Sequence, residues 1–430
     1  MSVQLSEDQR KAVHGICNLF DSAGMHKHAI AVLTGSAGTG KTTIITELVR
    51  MLSTEYHVLL SATTHRAATV LQEVMKDTPI YEPVTTAHSL FKLKPVISKY
   101  GKESLKPMGK CTLPNGAIII IDEASMISNK FLSAIVDSVQ TKKLKILFVG
   151  DPYQLPPPKD SCTIFDGSLS TMSLTKVHRQ KDGNPILDKA IEFRDYIRGV
   201  KKDEPTLITS INSKGEGIEV LPHSQFVSKF VSKYMSYTAG EFIDSPLCTY
   251  TNDSAINYNN MIRKAAYFLE GAVAPFYCNE QLISNCAIYR GGKSILANNE
   301  LVQVIDYTSA TYKGIPGHEL LLTGAYDKKT NTRRKSVFMP LNKIVANTEL
   351  DKLKKEALAT RSWTEFYDLK NELADLRPPF AGTTHKSQGG TFTNVFIDQV
   401  NINKCIDPLT RAKLMYVALT RATKNVYINS

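Results

Sequence analysis

The chain has 430 residues, 42% of them hydrophobic and 22% charged, with 52 lysines and arginines against 41 acids for a net charge of +11. At roughly 150 residues per domain that length predicts two to three domains with ordinary packed cores, which excludes a single small module and a disordered tail. The basic excess suits a polyanion such as nucleic acid, and without an apolar run of about 18 residues no membrane span is expected.

In chain order, the first nine residues lack the basic and apolar regions of a signal peptide. Residues 5–20 have the spacing of an amphipathic helix, with Ser6 as N-cap before Glu7, Asp8 and Gln9. Residues 30–34 predict a short strand entering a glycine-rich loop. Residues 58–62, 117–121 and 145–149 are further apolar strands, and 42–52, 65–75 and 129–139 are the helices between them. Strands alternating with helices imply a parallel sheet covered on both faces. Residues 91–113, rich in proline, glycine and lysine, interrupt that alternation as an insertion.

A second set follows: helix 184–198, strand 246–250 and helix 254–269. From 270 to 347 the pattern is that of a small β-barrel. Residues 350–376 are predicted helical, ending at Arg377-Pro378-Pro379, before strand 395–397 and helix 411–419. Residues 200–244 carry no usable motif. Seven cysteines are scattered without a CxxC pair, which argues against structural zinc or a disulfide framework and for a reducing cytoplasm.

The charge is local. Residues 1–180 hold 20 bases and 15 acids, of which 91–110 supply Lys92, Lys94, Lys99, Lys102, Lys106 and Lys110 against Glu103 alone. A second block comprises Lys328, Lys329, Arg333, Arg334, Lys335 and Lys343. Either block alone reads equally well as solvated surface.

The strongest signal is Gly35-Ser36-Ala37-Gly38-Thr39-Gly40-Lys41-Thr42, between a predicted strand and a predicted helix. Glycines let the backbone wrap phosphates, Lys41 reaches the terminal phosphates, and the Thr42 hydroxyl binds Mg²⁺. Its partner is Asp122-Glu123 at the end of four isoleucines. Asp122 can hold Mg²⁺ through water, while Glu123 orients and deprotonates an attacking water. A third strand ends in Gly150-Asp151-Pro152-Tyr153-Gln154, where Gln154 can sense a γ-phosphate. ATP and Mg²⁺ are the expected cofactors.

Taken in order, GSAGTGKT, IIIIDEAS, VGDPYQLPP, LTKVHRQ, TTHKSQGGTFTNVFID and YVALTRAT resemble the sequential motifs of superfamily-one helicases, of the RecD-like, five-prime-to-three-prime branch. The resemblance implies an α/β fold of two RecA-like P-loop domains with parallel sheets. It sets the first at 1–88 and 113–178, with a small pin insertion at 89–112. The second occupies 179–269 and 377–430, with a β-rich SH3-like insertion and tethering helices at 270–376. It implies that Gln9 contacts adenine, that Thr43 and Gly389 join the nucleotide site, and that Arg179 and Arg421 act as arginine fingers. Contacts to single-stranded DNA are implied for Thr63, Thr64, His65, Thr86, His88, Lys92, Lys94 and Tyr100 on one side. Thr383, Thr384, His385 and Ser387 are their counterparts on the other. Either Tyr100 or Phe91 is the pin's aromatic wedge, and Trp363 is a packing residue.

The expected function is an ATP-dependent DNA helicase, acting as a monomer on single-stranded and forked DNA. A single-strand-binding protein or other replication proteins are the partners such a role would bring. The alternative is a single-strand-stimulated ATPase that displaces proteins or remodels intermediates without processive unwinding.

Overall fold

The computed structural model describes residues 5–24, 27–78, 80, 82–97, 103–107, 112–157, 160–176, 183–235, 243–266, 275–324 and 334–430. Its first helix, Glu7–Ala23, starts at the expected N-cap. Ser6 accepts from the Gln9 amide at 3.4 Å, and the Gln9 side chain accepts from the Ser6 amide at 3.0 Å. This reciprocal box satisfies two amides that the first turn would leave open. The buried face, Ala12, Val13, Ile16 and Phe20, follows helical spacing onto the sheet beneath.

That sheet has six strands in the order Thr85–Thr86, Val58–Ala62, Ile118–Asp122, Lys145–Gly150, Ala29–Gly35 and Ser170–Leu174. All neighbours are parallel. Helices Glu7–Ala23 and Lys41–Leu52 pack on one face and Asn129–Lys142 on the other. Both faces are therefore dry, which explains why the central strands read as unbroken apolar runs. Parallel pairing brings the carboxyl ends of the central strands, where Gly35, Ala62, Asp122 and Gly150 lie, to one edge, where ligands bind in open α/β sheets.

A second sheet repeats the plan in the order Ala381–Thr383, Leu247–Thr249, Phe392–Ile397, Ala422–Asn429, Gly217–Leu221 and Ser210–Ile211. Its pairings are parallel except the last. Helices Pro185–Ile197 and Pro408–Leu419 cover one face, and His223–Tyr234 and Asn252–Ala266 the other. The stretch that yielded no motif supplies two strands and a helix here. Phe226, Phe230 and Tyr234, spaced by four, are the signal that could have found that helix. Asn259 fastens an edge strand: it donates to the Ala381 carbonyl at 2.9 Å and accepts from the Ala381 amide at 2.8 Å.

The β-rich region differs in detail from the expected barrel. Among the described residues it is an open five-stranded antiparallel sheet, in the order Lys335–Pro340, Ile315–Gly324, Leu301–Tyr312, Gln281–Ser284 and Leu376–Arg377. A separate hairpin pairs Ile288–Arg290 with Lys293–Leu296. The helical stretch expected over 350–376 consists of two helices, Lys343–Thr360 and Thr364–Glu372. Arg361, at φ 59°, turns the chain left-handed between them, and Trp363 then packs against Phe366 and Tyr367.

In the lysine-rich insertion, Leu93–Ile97 pairs antiparallel with Glu103–Pro107. Tyr100, Lys99, Lys102 and Lys110 lie outside the described residues, as do the side chains of Lys94 and Lys106. Phe91 is 2% exposed, inside the first core, so it is not available as a wedge. Its apolar side chain completes the layer under Phe131 and Ile119 instead of reaching solvent.

Asn259→Ala should leave the Ala381 amide and carbonyl unpaired in the interior and cost about 2–3 kcal/mol, measured as a lower denaturant midpoint.

Candidate nucleotide and nucleic-acid site

The phosphate loop joins strand Ala29–Gly35 to helix Lys41–Leu52. Gly38 and Gly40 take φ of 81° and 83°, which side chains disfavour. At Gly40 space forbids one too, since a Cβ would lie 2.3 Å from Gln9 Nε2. The Lys41 ammonium donates to the carbonyls of Gly35 at 2.7 Å and Ser36 at 3.1 Å, and Thr39 Oγ1 donates to Ser36 O at 2.9 Å. The helix has no side-chain cap. Its first amides therefore remain open to an anion. Gln9 is buried with its amide donating to the Thr39 carbonyl at 3.1 Å, so the residue expected to meet adenine braces the loop in this conformation.

Asp122 and Glu123 emerge at the carboxyl end of the central strand. Burial first, and the neighbouring Glu123 charge second, push Asp122 up to about 6; its carboxylate accepts from the Glu123 amide at 2.8 Å. Glu123 has φ 54°, and its Oε2 is buried without a hydrogen-bond partner among the described residues. Two enclosed carboxylates, one with an orphaned oxygen, form a site that calls for positive charge. With the Thr42 hydroxyl at the same cleft, the donor set is all oxygen, as Mg²⁺ requires.

These groups line a cleft of about 400 Å³ with Ala37, Gly38, Gly40, Lys41, Thr42, Thr43 and Gln154. The opposite wall belongs to the second sheet's domain and includes Gly389, Thr420 and Arg421. Arg421 is 6% exposed, held by the Gly390 and Val417 carbonyls at 3.3 Å each. Its Nη1 comes within 3.8 Å of Glu123 Oε1 across the cleft. Gly389 is a point of close approach, where a Cβ would stand 2.7 Å from that of Ala67. Arg179 lies outside the described residues.

The residues expected to grip a strand divide. Thr63 donates to the Glu123 carbonyl at 3.1 Å, tying the turn before His65 to the carboxylate turn. Thr64 and Thr86 cap short helical turns by accepting from the amides of Ala67 and Ser89. His65 opens the helix that Thr64 caps. His88 stacks on Phe131 with ring centroids 4.0 Å apart, and burial lowers its pKa. Lys92 is exposed, at φ 49°. Thr383 and His385 reach the surface in part, and burial pulls the His385 imidazole below its ordinary value. Thr384 and Ser387 are buried instead: Thr384 donates to the Thr249 carbonyl at 3.1 Å, and Ser387 to the Thr384 carbonyl at 2.8 Å. Thr384 in particular is fully enclosed, so its hydroxyl ties two strand ends together and does not face a strand of nucleic acid.

The second basic block is also modified. Lys328, Lys329 and Arg333 lie outside the described residues. Lys335 pairs with Glu300, and Lys343 with Asp375 at 2.9 Å. Two of the block's six bases are thus paired with acids.

Residues 4–198 match the family described as an AAA domain, and residues 379–429 match the UvrD-like helicase C-terminal domain. The ATP-dependent DNA helicase dda of Enterobacteria phage T4 is 24% identical, over 98% of both chains. The RecBCD enzyme subunit RecD of Buchnera aphidicola is 31% identical, over 36% of this chain and 29% of that protein. By these matches the chain is similar to the superfamily-one helicases, in their Dda- and RecD-like group. The fold agrees: Pif1 helicase from Bacteroides, solved with ADP-AlF3 and single-stranded DNA, superposes with a TM-score of 0.51 at 16% identity, covering 99% of this chain and 92% of that one.

For a superfamily-one helicase the sequence reading passed over three polar side chains. Gln388, buried within the HKSQGG stretch, donates to Gln154 Oε1 and the Leu155 carbonyl, both at 3.3 Å. Arg194 reaches Ser36 Oγ at 3.5 Å. Tyr416, in YVALTRAT, donates to Asp151 at 2.6 Å. Both Gln388 and Tyr416 stood inside quoted motifs, but only packing tells a buried bridging side chain from its neighbours.

Asp122 carries a pKa raised above its unfolded value, so its charge costs the fold at neutral pH, and that cost fades as pH falls from about 6 toward 4. Asp122→Asn should therefore stabilise the nucleotide-free protein by on the order of 2 kcal/mol at pH 8, with the gain vanishing near pH 4. Urea unfolding at the two pH values measures it.

Proposed function

We propose that this chain is an ATP-dependent DNA helicase. It moves on single-stranded DNA in the five-prime-to-three-prime sense and separates duplex ahead of it. The observation that carries the reading is the approach of Arg421 to Glu123 across the cleft. One domain supplies the phosphate loop and paired carboxylates, and the other supplies a cation at the position where charge builds on a transferred phosphoryl group. A cleft of that composition hydrolyses a nucleoside triphosphate only when its two walls are together.

In this mechanism the loop amides and Lys41 bind the phosphates. Thr42 and Asp122 would hold Mg²⁺, which would supply positive charge against the phosphates. Glu123 positions a water and takes its proton, with Gln154 beside it. Arg421, joined by Arg179, stabilises the developing charge. Thr63 links the carboxylate turn to the segment Thr64-His65, and Gly389 lies a few residues past Thr383 and His385. Opening and closing the cleft thus moves two strand-gripping segments relative to each other, and alternating grip becomes a step. The hairpin of 93–107 is proposed as the pin that splits the duplex, and the antiparallel sheet of 281–340 as an SH3-like module beside it. A monomer suffices for this cycle, and single-strand-binding proteins are the partners it would meet.

Glu123→Gln should bind ATP but hydrolyse it about 10²–10⁴-fold more slowly, and Lys41→Ala should lose turnover; steady-state ATPase assays check both. Replacing Lys92, Lys94, Lys99, Lys102, Lys106 and Lys110 with neutral residues should flatten the salt dependence of single-strand binding, by about 0.7 in log–log slope for each phosphate that is no longer neutralised. The deciding test is unwinding of duplexes with five-prime or three-prime single-stranded tails. Separation of the five-prime-tailed duplex is expected. ATP hydrolysis stimulated by single strands with neither duplex separated would turn the protein into a translocase that remodels complexes.

A further inference from the structure

The interface between the two domains holds a polar contact that no step of hydrolysis uses. Tyr416 lies on helix Pro408–Leu419, its ring buried in the second domain's core. Its hydroxyl leaves that core and crosses to the first domain. There it donates to Asp151 Oδ2 at 2.6 Å and accepts a long bond, 3.5 Å, from the amide of Ala37 in the phosphate loop.

Asp151 is fully buried, and it shapes the turn that presents Gln154. Its Oδ1 accepts from the Tyr153 amide at 3.0 Å, and its carbonyl accepts from the Gln154 amide at 3.2 Å. Burial raises its pKa, and the nearby Lys41 charge is the largest influence keeping it ionised. A carboxylate in such surroundings depends on every donor it has. One of these donors comes from the other domain. Gln388 seconds the arrangement by binding the Gln154 side chain and the Leu155 carbonyl.

We propose that Tyr416 is a positioning residue for ATP turnover: its hydroxyl fastens the Gln154 turn and the phosphate loop to the second domain, so that interdomain geometry sets where the γ-phosphate sensor stands. The inference rests on the helicase reading for its account of DNA stimulation, but the contact itself does not. Separation of the domains removes the Asp151 donor, the Gln388 bond and the Arg421 contact together. The second domain therefore reports its position to the sensor through a hydrogen bond as well as through the arginine.

Tyr416→Phe keeps the ring and removes only the bridging oxygen. The expected result is a fall of about tenfold in kcat for single-strand-stimulated hydrolysis with KM for ATP changed less than about twofold, the pattern of a group that acts in the transition state and not in binding. The ratio of single-strand affinities measured with ADP and with a non-hydrolysable ATP analogue should shrink by about fivefold or more, since that ratio is the coupling between the two sites. Asp151→Asn reads the same bond from the other side and keeps the turn's shape. If the bond is shared, the double variant is no worse than the poorer single one. Wild-type kcat and affinity ratio in a folded Tyr416→Phe protein, or strictly additive losses in the double variant, would overturn the proposal. A wild-type ATPase indifferent to single strands would sink the helicase reading instead, while the split between kcat and KM in Tyr416→Phe still decides the role of the tyrosine.

Discussion

Two adjacent, partly buried carboxylates at the cleft govern the architecture around them. Asp122 and Glu123 are delivered by a strand with dry faces, and burial of Asp122, with the Glu123 charge beside it, disfavours the ionised form of Asp122. The surrounding groups compensate only in part. Lys41 approaches from the same domain, Arg421 from the other, and one Glu123 oxygen has no partner among the described residues. The cleft is therefore electrostatically incomplete until a metal–nucleotide complex enters. This is the preorganised kind of site that stabilises charge as it develops, without rearranging solvent.

The same incompleteness explains why two domains are needed. The first sheet can bind phosphates alone, through the loop and the uncapped helix. It cannot supply the cation opposite Glu123, which sits on a different core with its own sheet. The polar contacts between the halves, Arg421 to Glu123, Gln388 to Gln154 and Tyr416 to Asp151, converge on the turns that face the cleft.

The first domain was legible in the sequence because its signals are local. Glycines with positive φ, a lysine after them, and an isoleucine run ending in acids each carry their reason within a few residues. The second sheet was harder. Its strands at 217–221 and 422–429 are short or partly polar, and they pair across some two hundred residues. Roles that depend on packing were hidden altogether. Thr384 and Thr383 look alike in sequence, yet one is enclosed and the other partly open. The basic block near 335 looked uncompensated because Glu300 and Asp375 are distant along the chain.

The antiparallel sheet and its helices enter and leave the second domain through neighbouring strands. Leu247–Thr249 and Ala381–Thr383 pair in parallel, with Leu247 opposite Ala381, although some 130 residues separate them. A module mounted on adjacent attachment points can be lengthened, shortened or exchanged with little effect on the sheet that carries it. The mounting also has a mechanical side. Load on the module is delivered to the strand that ends at Thr383, beside the candidate strand-gripping residues. A roadblock met by the module would thus be felt first at the grip, and only afterwards at the ATPase cleft.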